Sequence, residues 1–182
     1  MNSRVTVGIP EKGWRRPRAM VLCAPFPGGE KRLSSEGKMH QENAMKAVVQ
    51  WQGEACYEGQ TESGHQVLMD GPPDHGGQNR GPRPMETLLL GVGGCSSFDV
   101  VHILKKSRQD VTDCRCELTA ERVDDVPAVF SKIHLHFIVS GNNLKEAHVK
   151  RAVELSAEKY CSASIMLTRG GVEITHSYSI EA

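Results

Sequence analysis

Apolar and polar residues first fall into a regular pattern at about Met45. From 46 to 70 the pattern is that of short strands. AVVQW is β-branched and aromatic, EACYEGQ alternates, and GHQVLMD runs into Asp70-Gly71-Pro72-Pro73, a strong stop. Residues 71–83 form a long polar loop, and Pro84 suits the first turn of a helix. The segment METLLLGVGGCSSFDVVHILKK then predicts a helix to Lys106 that is apolar nearly all round, with Leu88, Leu89, Val92, Phe98, Val101 and Leu104. A helix apolar on every side is buried at the centre of something. Two longer strands follow. Residues 113–123 alternate Cys114, Cys116, Leu118 and Ala120 with polar partners, and residues 131–140 alternate Ile133, Leu135, Phe137 and Val139 with His134 and His136. DDVPAV joins them as a hairpin connection. Residues 144–160 read as an amphipathic helix with Val149, Val153, Ser156 and Tyr160 on its inner face, ending near Cys161. After Gly170-Gly171, residues 172–180 alternate as a last strand. The order β-β-β-α-β-β-α-β, with its hairpins, predicts an α+β fold with antiparallel sheets.

Residues 1–44 show neither period and are rich in Gly, Pro, Ser, Arg and Lys. They read as a disordered basic extension, or as a start placed too early, with Met39 or Met45 the true one. Charge supports the division. This stretch holds eight Lys/Arg against four Asp/Glu, while the whole chain has 22 of each and no net charge. The patterned region, 45–182, is therefore slightly acidic, which argues against a nucleic-acid footprint. AMVLCAPF is too short, and too broken by Pro25 and Pro27, for a convincing signal peptide, and no apolar run approaches the roughly 20 residues of a membrane span. Six cysteines at irregular spacing imply a reduced, cytoplasmic protein whose thiols pack unless a site argues otherwise.

One thiol has an unusual setting. Gly91, Gly93 and Gly94 lie just before Cys95, each costing about 1 kcal/mol of helix propensity. They thin the helix so that another chain or a small reactant can come close. Cys161 ends the second helix, and if the two helices pack, the two thiols can meet. Both can be packing residues. Both can also be a pair in which one thiolate attacks a peroxide, becomes a sulfenic acid and condenses with the other. Cys114 and Cys116 share the inner face of a strand with Leu118 and read as core; they are not a CxxC pair. Cys56 and Cys23 have no partner pattern. His134 and His136, with His176 on another strand, have a spacing that can hold zinc but lack a clear further ligand, so no metal site and no resident cofactor is read here. Glu86, in the first turn of the apolar helix, complements its dipole or orients a group near Cys95. Nine residues of helix rise about 13.5 Å and leave the two on opposite faces, so Glu86 reaches a Cys95 only across a two-fold dimer.

PMETLLLGVGGCSSFDVV together with AEKYCSASIML closely resembles the OsmC/Ohr family, and SGHQVLMDG, SRQDVTDC, HLHFIVSG and ITHSY match one branch of it. The resemblance spans about 45 to 182. It implies antiparallel sheets wrapped around two central helices in an intertwined homodimer with sites at the interface. It also implies a thiol peroxidase acting on organic hydroperoxides and reduced by small dithiols or lipoylated proteins. Carried over, Cys95 is the peroxidatic cysteine and Cys161 the resolving one. Two departures stand out. The family's Glu directly follows the proline, where this chain has Met85, one residue before Glu86. The family's Arg lies in the early strands, where this chain has none between Trp51 and Asp70; His65, Arg80 and Arg83 are the available substitutes. A free thiol has a pKa of about 8.5, and apolar burial raises it, so the missing Arg predicts a slow nucleophile. The leading reading is a homodimeric organic hydroperoxide reductase in the cytoplasm, without nucleic-acid or membrane partners. The rivals are a redox-sensing or small-ligand-binding protein without turnover, and a protein whose thiols are structural.

Overall fold

The computed structural model describes residues 45–181, and the expected basic extension or early start at residues 1–44 lies outside them. Three short strands, β1 (Ala47–Trp51), β2 (Tyr57–Thr61) and β3 (Gln66–Met69), form one antiparallel sheet in the order β1-β2-β3. The β2–β3 turn passes through Gly64 at φ 84°, a conformation that any β-carbon would strain. The polar loop that follows is organised by Asp70. Its side chain is 1% exposed and accepts hydrogen bonds from the backbone N–H groups of Gly71 (2.9 Å), Gln78 (3.1 Å) and Arg80 (3.0 Å). These bonds, with the Arg80 backbone the strongest influence, hold its carboxyl below the usual carboxylate range against the opposing effect of burial.

Helix α1 (Pro84–Lys106) begins with proline at its first position, and Lys105 and Lys106 face the negative end of its dipole. Strands β4 (Asp110–Arg122) and β5 (Phe130–Asn142) pair antiparallel over almost their whole length. Helix α2 (Glu146–Leu155) continues into a wider π turn, 156–160, after which α3 (Ser162–Arg169) and β6 (Glu173–Glu181) complete the chain. The second sheet has the order β4-β5-β6, and β6 runs parallel to β5, unlike the other pairs. The core lies between this sheet and the helices. Ile133, Leu135, Phe137 and Val139 of β5 meet Val92, Val100 and Leu104 of α1 and Val149, Ala152 and Val153 of α2.

The α+β class and the order of the long elements agree with the pattern read from the sequence. Four details differ. Antiparallel pairing was expected throughout, but β6 lies parallel to β5 because the chain returns to the sheet through α2 and α3 rather than by a hairpin. The second helix does not stop for good at Cys161: the chain turns there and helix resumes. Tyr160, expected on the inner face, is half exposed because the π turn rotates it off the stripe that buries Val149 and Val153. Helix α1 is not buried all round. Val92, Gly93, Ser96, Val100 and Leu104 face the core, while Leu88, Leu90 and Phe98 (70% exposed) face outward. By length and composition α1 could cross a bilayer, but here it packs on β4, α2 and α3 as the core helix of a folded domain.

Candidate functional site

Cys95 and Asp99 lie one turn apart on α1 and so share a face. Cys161 arrives from the other direction. The π turn closes with the Cys161 N–H donating to the Ser156 carbonyl oxygen at 2.9 Å, and this leaves Cys161 as the N-terminal cap of α3. The Sγ atoms of Cys95 and Cys161 and a carboxylate oxygen of Asp99 all lie within 4.8 Å of one another.

Donors converge on Cys161. Its sulfur accepts from Ser96 Oγ at 3.1 Å, Ser164 Oγ at 3.3 Å and the Ser164 backbone N–H at 3.4 Å. Ser156 fixes the frame by donating to the Ser96 carbonyl oxygen at 3.0 Å. Burial alone pushes the Cys161 thiol up, but the two hydroxyls, the helix-end N–H and the Cys95 thiol together hold it below its ordinary value. Cys95 is shifted the opposite way. Burial is the main cause, and the charges of Cys161 and Asp99 add to it against the Ala163 backbone N–H. The two sulfurs titrate as a coupled pair, with burial and neighbouring charge favouring the thiol at Cys95 and the converging donors favouring the thiolate at Cys161. Asp99 is itself raised, by burial, with His102 opposing.

A cavity of about 420 Å³ adjoins this cluster, lined by Asp99, His102, Ile103, Lys106, Leu155 and Tyr160. Asp99 belongs to both the cluster and the cavity. The walls combine apolar surface with an acid and two bases, more polar than the Leu and Phe surroundings expected from the sequence.

The other candidates are elsewhere. Glu86 caps α1: its Oε2 accepts from the Arg83 backbone N–H at 2.9 Å and its Oε1 from Arg83 Nη1 at 3.2 Å. Arg80 is bound to Asp70, and His65 hydrogen-bonds with Ser63 in the β2–β3 turn, so each of the three substitutes for the family's Arg has a local partner. Cys114 and Cys116 pack against the core on β4, where burial pushes their thiols up to about 11 and about 12. Cys56 is buried. His134 and His136 bond with Thr175, Ser177 and Ser179 on one face of the sheet. His176 pairs in register with the inward-facing Leu135 and lines a separate hollow with Lys150 and Glu154, so the three histidines do not converge. Gly93 packs against β4, where a β-carbon would lie 2.7 Å from Leu118 Cδ1; this close approach is within the chain rather than to a second one. Gly91 and Gly94 face open space.

Sequence reasoning missed Asp99, Ser96 and Ser164. Asp99 was detectable from its i,i+4 spacing to Cys95. The serines carried no signal, because their value depends on α1 and α3 meeting.

Comparison with known proteins agrees with this architecture. A family model described as "OsmC-like protein" matches residues 76–177. The protein YhfA of Escherichia coli K12 is 51% identical over 138 residues, covering 76% of this chain and 99% of YhfA. A solved structure of a hypothetical protein from Aquifex aeolicus VF5 is 30% identical, with a TM-score of 0.66 over 76% of this chain and 96% of that one. The organic hydroperoxide resistance protein OhrB of Bacillus subtilis shares the fold at 20% identity, with a TM-score of 0.52 over 75% of this chain and 98% of its own.

Proposed function

Because the chain belongs to the OsmC-like family and brings two thiols from distant elements into one hydrogen-bonded cluster, we propose that it is a thiol-dependent peroxidase for organic hydroperoxides. The observation that carries this reading is the meeting of Cys95 and Cys161 beside a cavity. Cys95 is the less buried of the two and receives the peroxide. Its proton passes to the Cys161 sulfur as the Cys95 sulfur attacks the terminal peroxide oxygen. The O–O bond breaks, the alkoxide takes the proton back and leaves as an alcohol, and Cys95 becomes a sulfenic acid. Cys161, again a thiolate held by Ser96 and Ser164, attacks that sulfur. Hydroxide leaves, a disulfide forms, and an external dithiol or lipoyl group restores both thiols by exchange. Ile103, Leu155 and Tyr160 offer apolar surface for the organic group.

The working form is a homodimer. Val48, Val49 and Trp51 (63% exposed) of β1, and Leu88, Leu90 and Phe98 of α1, are exposed apolar side chains that a second copy would cover. Any action of Glu86 on a Cys95 requires a second copy, since nine residues of α1 put the two on opposite faces of one helix. Free thiols in the described residues suit a reducing, cytoplasmic setting.

A second reading, redox sensing or ligand binding without turnover, is favoured by the raised Cys95 thiol, which slows attack. Steady-state consumption of cumene hydroperoxide with a dithiol reductant separates the two. Sustained turnover lost in Cys95→Ser supports the peroxidase. A single stoichiometric oxidation that never cycles supports the sensor.

A further inference from the structure

The cluster that joins Cys95, Asp99 and Cys161 has a second chemical capacity. It brings together three groups that become anionic, from two different elements, with their ligand atoms within 4.8 Å of one another. Among the described residues no basic side chain forms an ion pair with Asp99. The basic residues beside Asp99 are His102, whose charge opposes the raising of its carboxyl, and Lys106, which lines the adjoining cavity with it. The cluster thus gathers three groups that can become anionic, with His102 as a partial counterweight on Asp99, and it is in part desolvated.

Two thiolates and one carboxylate are a donor set for a borderline-soft divalent ion. Zinc takes sulfur ligands at about 2.3 Å and carboxylate oxygen at about 2.0–2.2 Å. In a tetrahedron those bonds put ligand atoms about 3.5–3.8 Å apart, a spacing compatible with the 4.8 Å within which the three ligand atoms lie. Three protein ligands leave a fourth position for water, as in sites that are not purely structural. The hydrogen bonds from Ser96 and Ser164 hold the Cys161 sulfur in place, as outer partners of metal ligands do.

We propose that reduced Cys95, Asp99 and Cys161 form a binding site for a zinc-class divalent cation. The ion binds the thiolate forms, so any proton still on either sulfur is released to solvent on binding. Oxidation to the Cys95–Cys161 disulfide removes two of the three ligands, so the site exists only in the reduced protein. Metal binding and peroxide reduction then exclude each other at the same thiols. The binding claim stands without the peroxidase reading, since it requires no turnover.

The test uses the full-length protein, reduced and freed of reductant, titrated anaerobically with Co²⁺ as a spectroscopic probe and then with Zn²⁺ against a chromophoric chelator. The expected result is a thiolate-to-cobalt absorption band that saturates at one ion per chain and is displaced by Zn²⁺. Cys95→Ser and Cys161→Ser each abolish the band. Asp99→Asn weakens affinity by about 10- to 100-fold with the band still visible at higher cobalt. Cys56→Ser and Cys116→Ser leave it unchanged. Protein whose thiols have been alkylated serves as a second block that does not depend on a variant folding, and it too shows no band. The absence of a band in reduced wild-type protein overturns the proposal, as does a band that survives in the Cys95→Ser/Cys161→Ser double variant. Because no peroxide is present, either result leaves the peroxidase reading to be judged by its own kinetics.

Discussion

Two pairs of cysteines in this chain have opposite settings. Cys114 and Cys116 are two residues apart on β4 and share a face. Cys95 and Cys161 are on different elements and far apart in sequence. Adjacency does little for the first pair: burial pushes those thiols up to about 11 and about 12, and at neutral pH they are filler. The second pair has Ser96, Ser164 and the first N–H groups of α3 around it, and one of its sulfurs is held below its ordinary value. Thiol chemistry here depends on donors brought by folding rather than on spacing along the chain. A helix N-terminus supplies such donors because its first N–H groups have no partner within the helix.

The largest expected effect breaks this contrast by removing a thiol. Cys95→Ser eliminates peroxide turnover, while Cys114→Ser and Cys116→Ser keep it within about twofold, read by steady-state kinetics with cumene hydroperoxide. Cys161→Ser leaves a sulfenic acid stranded on Cys95, detectable as a dimedone adduct by mass spectrometry.

Removing a donor is gentler. A hydrogen bond to a charged acceptor contributes about 1.5–3 kcal/mol, and 1.36 kcal/mol corresponds to about one pH unit. Losing a bond that favours the thiolate raises the pKa. Ser164→Ala therefore moves the midpoint of thiol alkylation against pH upward by about one to two units. An unchanged midpoint would show that the serine only packs.

The glycines sharpen the comparison further. Gly93→Leu drives a side chain into Leu118 and destabilises by about 1–3 kcal/mol in denaturant unfolding. Gly94→Leu meets nothing within one chain. If α1 packs against a second copy, that substitution dissociates the dimer in sedimentation while leaving the monomer folded.

The smallest effect is expected at Asp70. Its carboxyl titrates below its unfolded value, so its stabilisation is fully present above the ordinary carboxylate pKa of about 3.9 and is lost as pH falls through the folded value. Thermal unfolding of wild type should weaken with acid in that window. Asp70→Asn should be less stable at neutral pH and show a flatter acid dependence.

Much of this molecule was legible in its residues. The alternation in β4 and β5 marked both strands, and Pro84 marked the start of α1, because these signals are local. The division of the second helix at Cys161 was not legible. No glycine or proline marks the π turn, and SASIML is too short to declare a helix of its own. The parallel pairing of β6 with β5 also escaped, since strand direction within a sheet leaves no trace in local periodicity. Cys95 and Cys161 were singled out by resemblance and by the glycines, although Gly93 meets Leu118 of the same chain and Gly91 and Gly94 face open space. The environment of the two thiols was not legible, because Ser96, Asp99 and Ser164 acquire meaning only where α1 meets α3.

The central claim is that Cys95 and Cys161 form one redox pair. The most direct test is intact-mass measurement and peptide mapping of reduced protein after one equivalent of cumene hydroperoxide. The account predicts the loss of two hydrogens, mapped to a single bridge between Cys95 and Cys161, with Cys114 and Cys116 still free. An unchanged mass, or oxidation spread over Cys56, Cys114 and Cys116, would contradict it.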